Sequence, residues 1–410
     1  MNTTANSLHI LVSGGGIAGN AVALQLLRAG ARVTVVERAT APRPGGQAVD
    51  LRAASKEVAE RMGLMAGIRK YQLAELGMAW VDRKGAEYAA LPVEAFDGKG
   101  PIAEIEITRG DLNQVLLDLL AETPGGLDYR YGEWIESLDQ DGSGVTVGFA
   151  SGATERFDLV VGADGVHSAV RRLAFGPEEQ FSTYLGGYAS FFTIPTPDGM
   201  KPGWFAMHSV PSAAVGIRPD RDPRTAKAIL TLRTPENPAL RRDTAAQQQL
   251  ITGMLADAGW HAPAVLEAMA TTPDFYFDVL ARIDMPTLAA GRVTLAGDAG
   301  YCGSPMTGMG TAMALVGAYL LAGEIASTPD DLADALARYQ EQVTPFLDAA
   351  KELPGGGIQM MLPKSRFATA LARFNMRLMT SGPMLPLTRK LFEPKAEAYV
   401  LPVYETAAVA

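Results

Sequence analysis

Residues 8–37, LHILVSGGGIAGNAVALQLLRAGARVTVVE, contain the pattern that decides the fold. The apolar run 8–12 predicts a short buried strand, and a second apolar strand follows over residues 32–36. Between them, a segment with helical periodicity begins directly after the glycines and ends at Gly30. The stretch therefore predicts a strand–turn–helix–strand unit whose first turn is rich in glycine.

The glycines of this turn have the spacing G-x-G-x-x-G, at Gly14, Gly16 and Gly19. In such a turn the first glycine permits the tight bend, the second lets a pyrophosphate approach the backbone, and the third lets the helix pack on the strand. Free N–H groups at the helix N-terminus attract the anion. Glu37 ends the second strand, where an acid accepts hydrogen bonds from ribose hydroxyls. The unit predicts an adenine dinucleotide, either FAD or NAD; a glycine-rich turn without a ligand is the alternative.

Two later segments repeat the pattern of a buried strand that ends in a tight acidic turn. They are FDLVVGADGVHSAVRR at residues 157–172 and GRVTLAGDA at residues 291–299, which continues through Pro305 and Gly308 into a helix near Thr311. With the three motifs in this order, the chain resembles the single-component, class A FAD-dependent monooxygenases of the p-hydroxybenzoate hydroxylase type. Within them it is most similar to the tetracycline-modifying and polyketide-tailoring branch. The resemblance covers roughly residues 8–345.

The resemblance implies FAD as the bound cofactor and assigns its contacts position by position. The glycine turn would hold the pyrophosphate, and the helix N-terminus near Gly310 would stabilise the reduced flavin through its dipole. Arg38 is placed either at the adenosine end or in solvent. The implied FAD-binding residues are Gly14, Gly16, Ile17, Ala18, Gly19, Glu37, Arg38, Gly46, Arg109, Asp164, Asp298, Pro305, Gly308, Gly310 and Thr311.

The expected fold class is α/β, with a Rossmann-like FAD-binding domain of the glutathione-reductase type. It is interleaved with an antiparallel-sheet substrate domain and followed by C-terminal helices. We assign residues 1–72, 98–181 and 274–345 to the FAD domain, residues 73–97 and 182–273 to the substrate domain, and residues 346–410 to a helical cover. Alternating strands separated by turn clusters characterise the substrate domain.

The substrate domain supplies the candidate substrate residues Phe192, Met207 and His208. A period of two places Met207 and His208 on opposite faces of their strand. His208 is therefore either a pocket residue or a histidine that faces solvent. We expect no protein nucleophile and no catalytic side chain, because the flavin carries the chemistry. The four histidines do not have metal-ligand spacing, so no metal site is expected.

Composition limits the possible partners. The net charge of −9 argues against a nucleic-acid partner. Cys302 is the single cysteine, which fits a reducing cytoplasm. We expect a cytoplasmic monomer or homodimer without a signal peptide or membrane contact. The basic amphipathic segment 367–379 resembles a membrane-surface helix, but overall acidity favours a cover of the substrate domain or a dimer element.

These observations predict an FAD-dependent monooxygenase that takes hydride from NADPH or NADH. By resemblance it would form a flavin C4a-hydroperoxide with O₂ and hydroxylate an apolar, aromatic or polyketide-like molecule. One alternative keeps the FAD but makes the protein a dehydrogenase, reductase or halogenase; the tryptophan motif of halogenases is absent. Another is a flavin-dependent small-molecule binder without catalysis.

Overall fold

The computed structural model describes residues 8–43, 45–96, 105–353, 357–392 and 399–404. In chain order, the strands of this part are β1 (His9–Ser13), β2 (Arg32–Glu37), β3 (Ala48–Leu51), β4 (Gly77–Val81), β5 (Glu87–Pro92), β6 (Ile105–Thr108), β7 (Leu127–Tyr131), β8 (Ile135–Gln140), β9 (Val145–Phe149), β10 (Thr154–Phe157), β11 (Leu159–Gly162), β12 (Ser182–Pro195), β13 (Trp204–Val210), β14 (Ala213–Pro219), β15 (Thr225–Arg233), β16 (Tyr276–Ile283), β17 (Ala289–Ala290) and β18 (Val293–Leu295).

The helices of the same part surround these strands. They are α1 (Ile17–Arg28), α2 (Ala53–Arg61), α3 (Met65–Tyr71), α4 (Arg109–Glu122), α5 (Ala169–Ala174), α6 (Thr244–Leu255), α7 (Ala262–Met269), α8 (Asp298–Tyr301), α9 (Gly310–Ser327), α10 (Leu332–Ala350), α11 (Gly357–Met361), α12 (Arg366–Met379) and α13 (Leu385–Phe392).

A six-stranded sheet forms the framework predicted from the first forty residues. Its order is β17-β18-β11-β1-β2-β7, and all its pairs are parallel except β17 with β18. Ile10, Leu11 and Val12 are fully buried, as expected for a strand covered on both faces. The three motifs end β1, β11 and β18, so the parallel register brings their turns to one edge of the sheet.

Helix α9 packs beside α1 and α10 in the core of this framework. It is the one helix of the described residues with the length and apolarity needed to cross a membrane, and most of it is buried within the protein. Its all-round apolar surface therefore reflects a core helix.

A seven-stranded sheet forms the second layer, in the order β16-β12-β15-β14-β13-β4-β5. Its pairs are antiparallel except β13 with β4. The mixed α/β class is as expected. We had assigned β16 to the FAD domain, but it pairs with β12 along the edge of this sheet. The expected boundary between residues 97 and 98 lies outside the described residues.

A buried ion cluster connects the two layers. Arg218 Nη2 on β14 donates to Glu106 Oε2 on β6 over 2.7 Å, and the same guanidinium pairs with Glu75. A further bond of 3.2 Å reaches the carbonyl of Ala48. The Glu75 and Glu106 side chains are 1% and 3% exposed, and Arg218 contributes positive charge that compensates both.

Candidate active site

The turns that end β1, β11 and β18 contact one another. A Cβ added to Gly14 would lie 2.3 Å from the carbonyl oxygen of Ala163, in the turn after β11. A Cβ on Gly297, in the turn after β18, would lie 2.6 Å from Cβ of Ala18 in α1. Both glycines have positive φ, +112° and +62°. The structure thus brings the residues of the three predicted motifs into one site.

The glycine turn has the shape that a bound pyrophosphate requires. Gly19 packs so closely that a Cβ would lie 1.9 Å from the Gly14 carbonyl oxygen, whereas no atom lies within 4 Å of a Cβ placed on Gly16. Gly16 is also the N-cap of α1, and no side chain caps that helix. An open backbone at an uncapped helix N-terminus is a cradle for an anion, so these residues fit the pyrophosphate of FAD.

A buried polar network, which the sequence analysis missed, holds this turn in place. The side-chain amides of Asn20 and Asn113 donate to the Gly15 carbonyl over 2.9 and 3.1 Å, and the Tyr129 hydroxyl donates to Asn20 Oδ1. Asn20 is fully buried in an otherwise apolar stretch of α1. A buried amide needs partners, so this polar residue in an apolar stretch was a signal available in the sequence.

Glu37 lies beside the glycine turn, as predicted. Its carboxylate accepts from the backbone N–H of Gly15 over 2.7 Å and of Ala39 over 2.8 Å. Arg38 is exposed, with its guanidinium 5.8 Å from the ring centre of Trp134. Contacts of Glu37 and Arg38 with the adenosine end of FAD stay predictions.

Asp164 caps a helix in this structure. Its carboxylate accepts from the backbone N–H groups of Ala169 and Val170 over 2.7 and 3.1 Å and from the Ser168 hydroxyl. Burial raises the pKa of Asp164, and these hydrogen bonds oppose the rise. The residue organises the turn after β11, and a direct contact with FAD or nicotinamide stays a prediction.

Arg171 joins the two acidic turns, although the sequence analysis gave it no role. Its guanidinium donates to the carbonyl of Val166 over 2.6 Å and to the carbonyl of Ala299 over 2.8 Å. The side chain is fully buried and pairs with Glu178. The signal available in the sequence was a charged residue, Arg171, in the short helical segment that follows the apolar strand.

Asp298 and Arg109 lie close enough for their charges to interact. Burial raises the pKa of Asp298, and the positive charge of Arg109 opposes the rise. Both charges also act on the phenol of Tyr276. Tyr276 is 42% exposed, and its phenol lies near these two predicted FAD residues.

The second glycine-rich loop lies between β18 and α9. Ser304, before Pro305, has a φ of +73°, and Gly308 is left-handed with a φ of +67°. No atom lies within 4 Å of a Cβ on Gly308 or Gly310. No side chain caps α9, which begins at Gly310 and continues through Thr311. The loop therefore offers open backbone and a positive helix end, which suits the electron-rich edge of a reduced flavin.

One face of the seven-stranded sheet looks towards these loops, and we call it the site face. Phe191, Met207 and Leu280 lie on it and pack in a cluster that includes Met306 of the second glycine loop. Lys227 lies on it too, with Nζ 3.2 Å from a Cβ placed on Gly45, next to the predicted Gly46. Lys227 Nζ donates to Thr193 Oγ1 over 2.6 Å and pairs with Asp220. Sequence analysis missed this lysine, although it interrupts an apolar alternation in β15.

The opposite face of the sheet is covered by α6 and α7. Phe192 is buried there, and its ring centre lies 5.8 Å from that of Phe275. His208 also lies on this side and is 1% exposed. Its Nδ1 lies 2.9 Å from the carbonyl oxygen of Val81 and its Nε2 lies 3.1 Å from that of Ala258. Burial lowers the pKa of His208.

The three candidate substrate residues are therefore divided between the faces. Met207 lies on the site face, but Phe192 and His208 pack in the core beneath α6 and α7. The expectation of a solvent-facing His208 is wrong. In β12 the side chain next to the loops belongs to Phe191, because adjacent residues of a strand point to opposite faces.

Comparisons with known proteins identify the family of this chain. The model of a family described as "FAD binding domain" matches residues 7–352. An uncharacterised protein of Mycobacterium tuberculosis is 40% identical over 354 residues, which is 85% of this chain and 94% of the relative. A flavin-dependent monooxygenase of Legionella longbeachae is 35% identical and covers 84% of this chain and 87% of its own.

The chain belongs to the class A FAD-dependent monooxygenases. Its cofactor is FAD. The crystal structure of the tetracycline destructase Tet(51) matches 97% of this monooxygenase and 100% of its own chain, with a TM-score of 0.79 and 31% identity. The p-hydroxybenzoate hydroxylase-like fold is thereby confirmed, together with the resemblance on which it was predicted.

Proposed function

We propose that this monooxygenase uses NADPH or NADH and O₂ to hydroxylate an apolar small molecule, aromatic or polyketide-like, that binds between the site face and FAD. The observation that carries the proposal is the apolar site face opposite the second glycine loop. Met306 of that loop packs against the cluster that contains Phe191 and Leu280, and Met207 packs against the same cluster. A flat apolar surface next to the flavin favours a flat apolar substrate.

The Tyr276 phenol is one polar group of this surface, on its edge strand β16. The Tyr276 hydroxyl donates to Asp278 Oδ2 over 2.8 Å, so its proton is engaged and its lone pairs are available to accept. A hydroxyl or N–H group of the substrate can then donate to Tyr276. Such a contact orients the molecule and selects against analogues that lack the donor.

FAD, when bound, supplies the oxygen chemistry, and the side chains of this protein supply binding and orientation. The α1 N-terminus would hold the pyrophosphate, and the α9 N-terminus would favour negative charge on the flavin. Apolar residues of the site face exclude water. The name of the similar tetracycline destructase supports a polyketide-like substrate class for this chain.

The test is oxidation of NADPH and NADH by the FAD-loaded protein, measured together with O₂ uptake. A panel of phenolic and polycyclic compounds is added in turn. We expect at least one compound to stimulate both rates and to yield a hydroxylated product. Oxidation of the nicotinamide without O₂ uptake would instead indicate a reductase. A protein that neither contains nor takes up FAD would exclude both the monooxygenase and the reductase activity.

A further inference from the structure

Helix α12 carries a continuous apolar stripe that faces outward. Phe367, Leu371, Phe374 and Leu378 follow the three- and four-residue spacing of one helix face. Their exposed fractions are 80%, 49%, 64% and 50%. Leu387 on α13 is 63% exposed. Contiguous apolar surface of this kind marks an interaction site more often than a chance exposure.

The opposite side of α12 fixes the helix on the substrate sheet. Thr369 is buried, and Met376 packs against a cluster formed by Trp80 and Leu91. Arg373 Nη2 donates to the Ser209 carbonyl over 2.7 Å. The stripe therefore faces outward because the other side of the helix already makes the contacts with the sheet.

The charges of this segment are segregated. Residues 353–392 contain no aspartate or glutamate, in a chain whose net charge is −9. Arg366 and Arg377 are exposed on α12 beside the stripe. The charged residues of the segment are Lys364, Arg366, Arg373, Arg377, Arg389 and Lys390. An apolar stripe bordered by basic side chains is complementary to an anionic lipid surface.

We propose that α12 docks this monooxygenase on an anionic membrane surface. The Phe and Leu side chains of the stripe enter the boundary between headgroups and acyl chains, while Arg366 and Arg377 contact lipid phosphates. A second copy of the chain fits this face less well. A two-fold interface sets the same patch against itself and would bring the basic residues together. The proposal departs from our expectation of no membrane contact, which rested on overall acidity.

The same segment also borders the site. Ile358 of α11 and the following Leu362 are buried in the cluster of the site face, together with Phe191 and Leu280. The chain segment that carries α12 therefore also contributes residues to the surface where an apolar substrate is proposed to bind. The docking itself does not rest on the proposed function, and vesicle binding tests it without turnover.

The experiment is sedimentation of the purified full-length holoprotein with two kinds of vesicles. One kind is phosphatidylcholine alone, and the other is equal parts phosphatidylcholine and phosphatidylglycerol. We expect binding to the anionic vesicles only, with loss of binding as salt is raised. The double variants L371S/F374S and R366E/R377E should each reduce the partition coefficient about tenfold or more.

Matched controls use exposed residues elsewhere. V400S/V403S alters valines that are 85% and 81% exposed, and R224E/R242E reverses two exposed arginines. Both controls should bind vesicles like the unmodified protein, and all variants should retain FAD. Absence of binding, or equal binding to both vesicle types, overturns the proposal. It is also overturned if L371S/F374S leaves binding unchanged and converts a dimer into a monomer in sedimentation velocity.

Discussion

His167 Nε2 lies 3.0 Å from Asp278 Oδ1, which joins the turn after β11 to the edge strand of the seven-stranded sheet. The other ring nitrogen of His167, Nδ1, lies 2.9 Å from Glu178 Oε1. Hydrogen bonds with Asp278 and Glu178 raise the pKa of His167 to about 9. Burial alone would raise the pKa of Asp278, but the hydrogen bond with His167 helps to hold it below its usual value. The imidazolium thus keeps the partner of Tyr276 ionised.

This pair predicts a pH dependence of stability. The ordinary pKa of 6.5 for His167 rises to about 9 in the folded protein, so its ion pairs stabilise the fold fully below pH 6.5. Their contribution is lost as the pH rises from 6.5 to 9. We expect H167Q to lower the free energy of unfolding at pH 6 by about 1–2 kcal/mol, after allowance for screening, and to have little effect above pH 9. Urea unfolding across this range measures it, with H261Q as the control. Equal losses for H167Q at both ends of the range would contradict the charge assignment.

The open backbone at Gly16 allows a substitution that weakens FAD binding without destabilising the fold. G16A adds a methyl group where no protein atom lies within 4 Å, so the apoprotein should unfold at an unchanged temperature. The same methyl group blocks the approach of the pyrophosphate, and we expect FAD affinity to fall about tenfold or more. Titration with FAD monitored by flavin fluorescence measures this. G142A, at another open glycine, should bind FAD normally.

The buried ion cluster predicts a large loss of stability. R218M removes a buried positive charge that pairs with both Glu75 and Glu106, which costs about 3–5 kcal/mol. R221M is the matched control, because Arg221 is 53% exposed and its pair with Asp111 spans 3.7 Å. That variant should change the free energy of unfolding by less than about 1 kcal/mol. Similar effects of the two variants in urea unfolding would refute the role given to Arg218.

Phe191 and Phe192 lie on opposite faces of β12, so we expect their substitutions to affect substrate binding and core packing differently. F191A removes a ring from the site face. We expect this variant to raise KM for the substrate and to lower the free energy of unfolding less than F192A does. F192A opens a cavity in the core beneath α6 and α7 and should cost about 3–5 kcal/mol of stability. Steady-state kinetics and thermal unfolding of both variants provide the comparison. The opposite assignment of effects would show that the faces of β12 are reversed.

Much of the fold and of the cofactor site followed from local sequence. The strands that precede Gly14, Asp164 and Asp298 are short apolar runs, and parallel pairing brings their ends together. The spacing of the glycines encodes their roles, because each role concerns the backbone of the turn itself. These predictions needed no knowledge of distant contacts.

The remaining parts of the site depend on residues that are far apart in the sequence. Asn20 contacts Asn113, and His208 is fixed by the carbonyls of Val81 and Ala258, so local periodicity could not reveal which partners these residues have. Phe191 and Phe192 are adjacent apolar residues of β12, and a run without apolar–polar alternation does not show which of the two faces the site.

In helix α12 too, the local sequence pattern does not show which long-range contacts are made. Periodicity predicted a helix over residues 367–379, and the structure has α12 over Arg366–Met379. The side of this helix with Thr369 and Met376 packs on the substrate sheet, and the role of residues 346–410 as a cover stays a prediction. An amphipathic pattern does not state which side meets the protein. That choice depends on the surface to which the helix docks.

We propose that this chain transfers an oxygen atom from O₂ to an apolar substrate at the site face. Mass spectrometry of the product formed under dioxygen that carries the heavy oxygen isotope tests this, with FAD-loaded protein, NADPH and a substrate that stimulates O₂ uptake. We expect one heavy oxygen atom in each product molecule, at the hydroxyl group, and none from isotope-labelled water. Product that takes its oxygen from water, or NADPH oxidation that yields only hydrogen peroxide across the whole compound panel, rules out the proposed oxygen transfer.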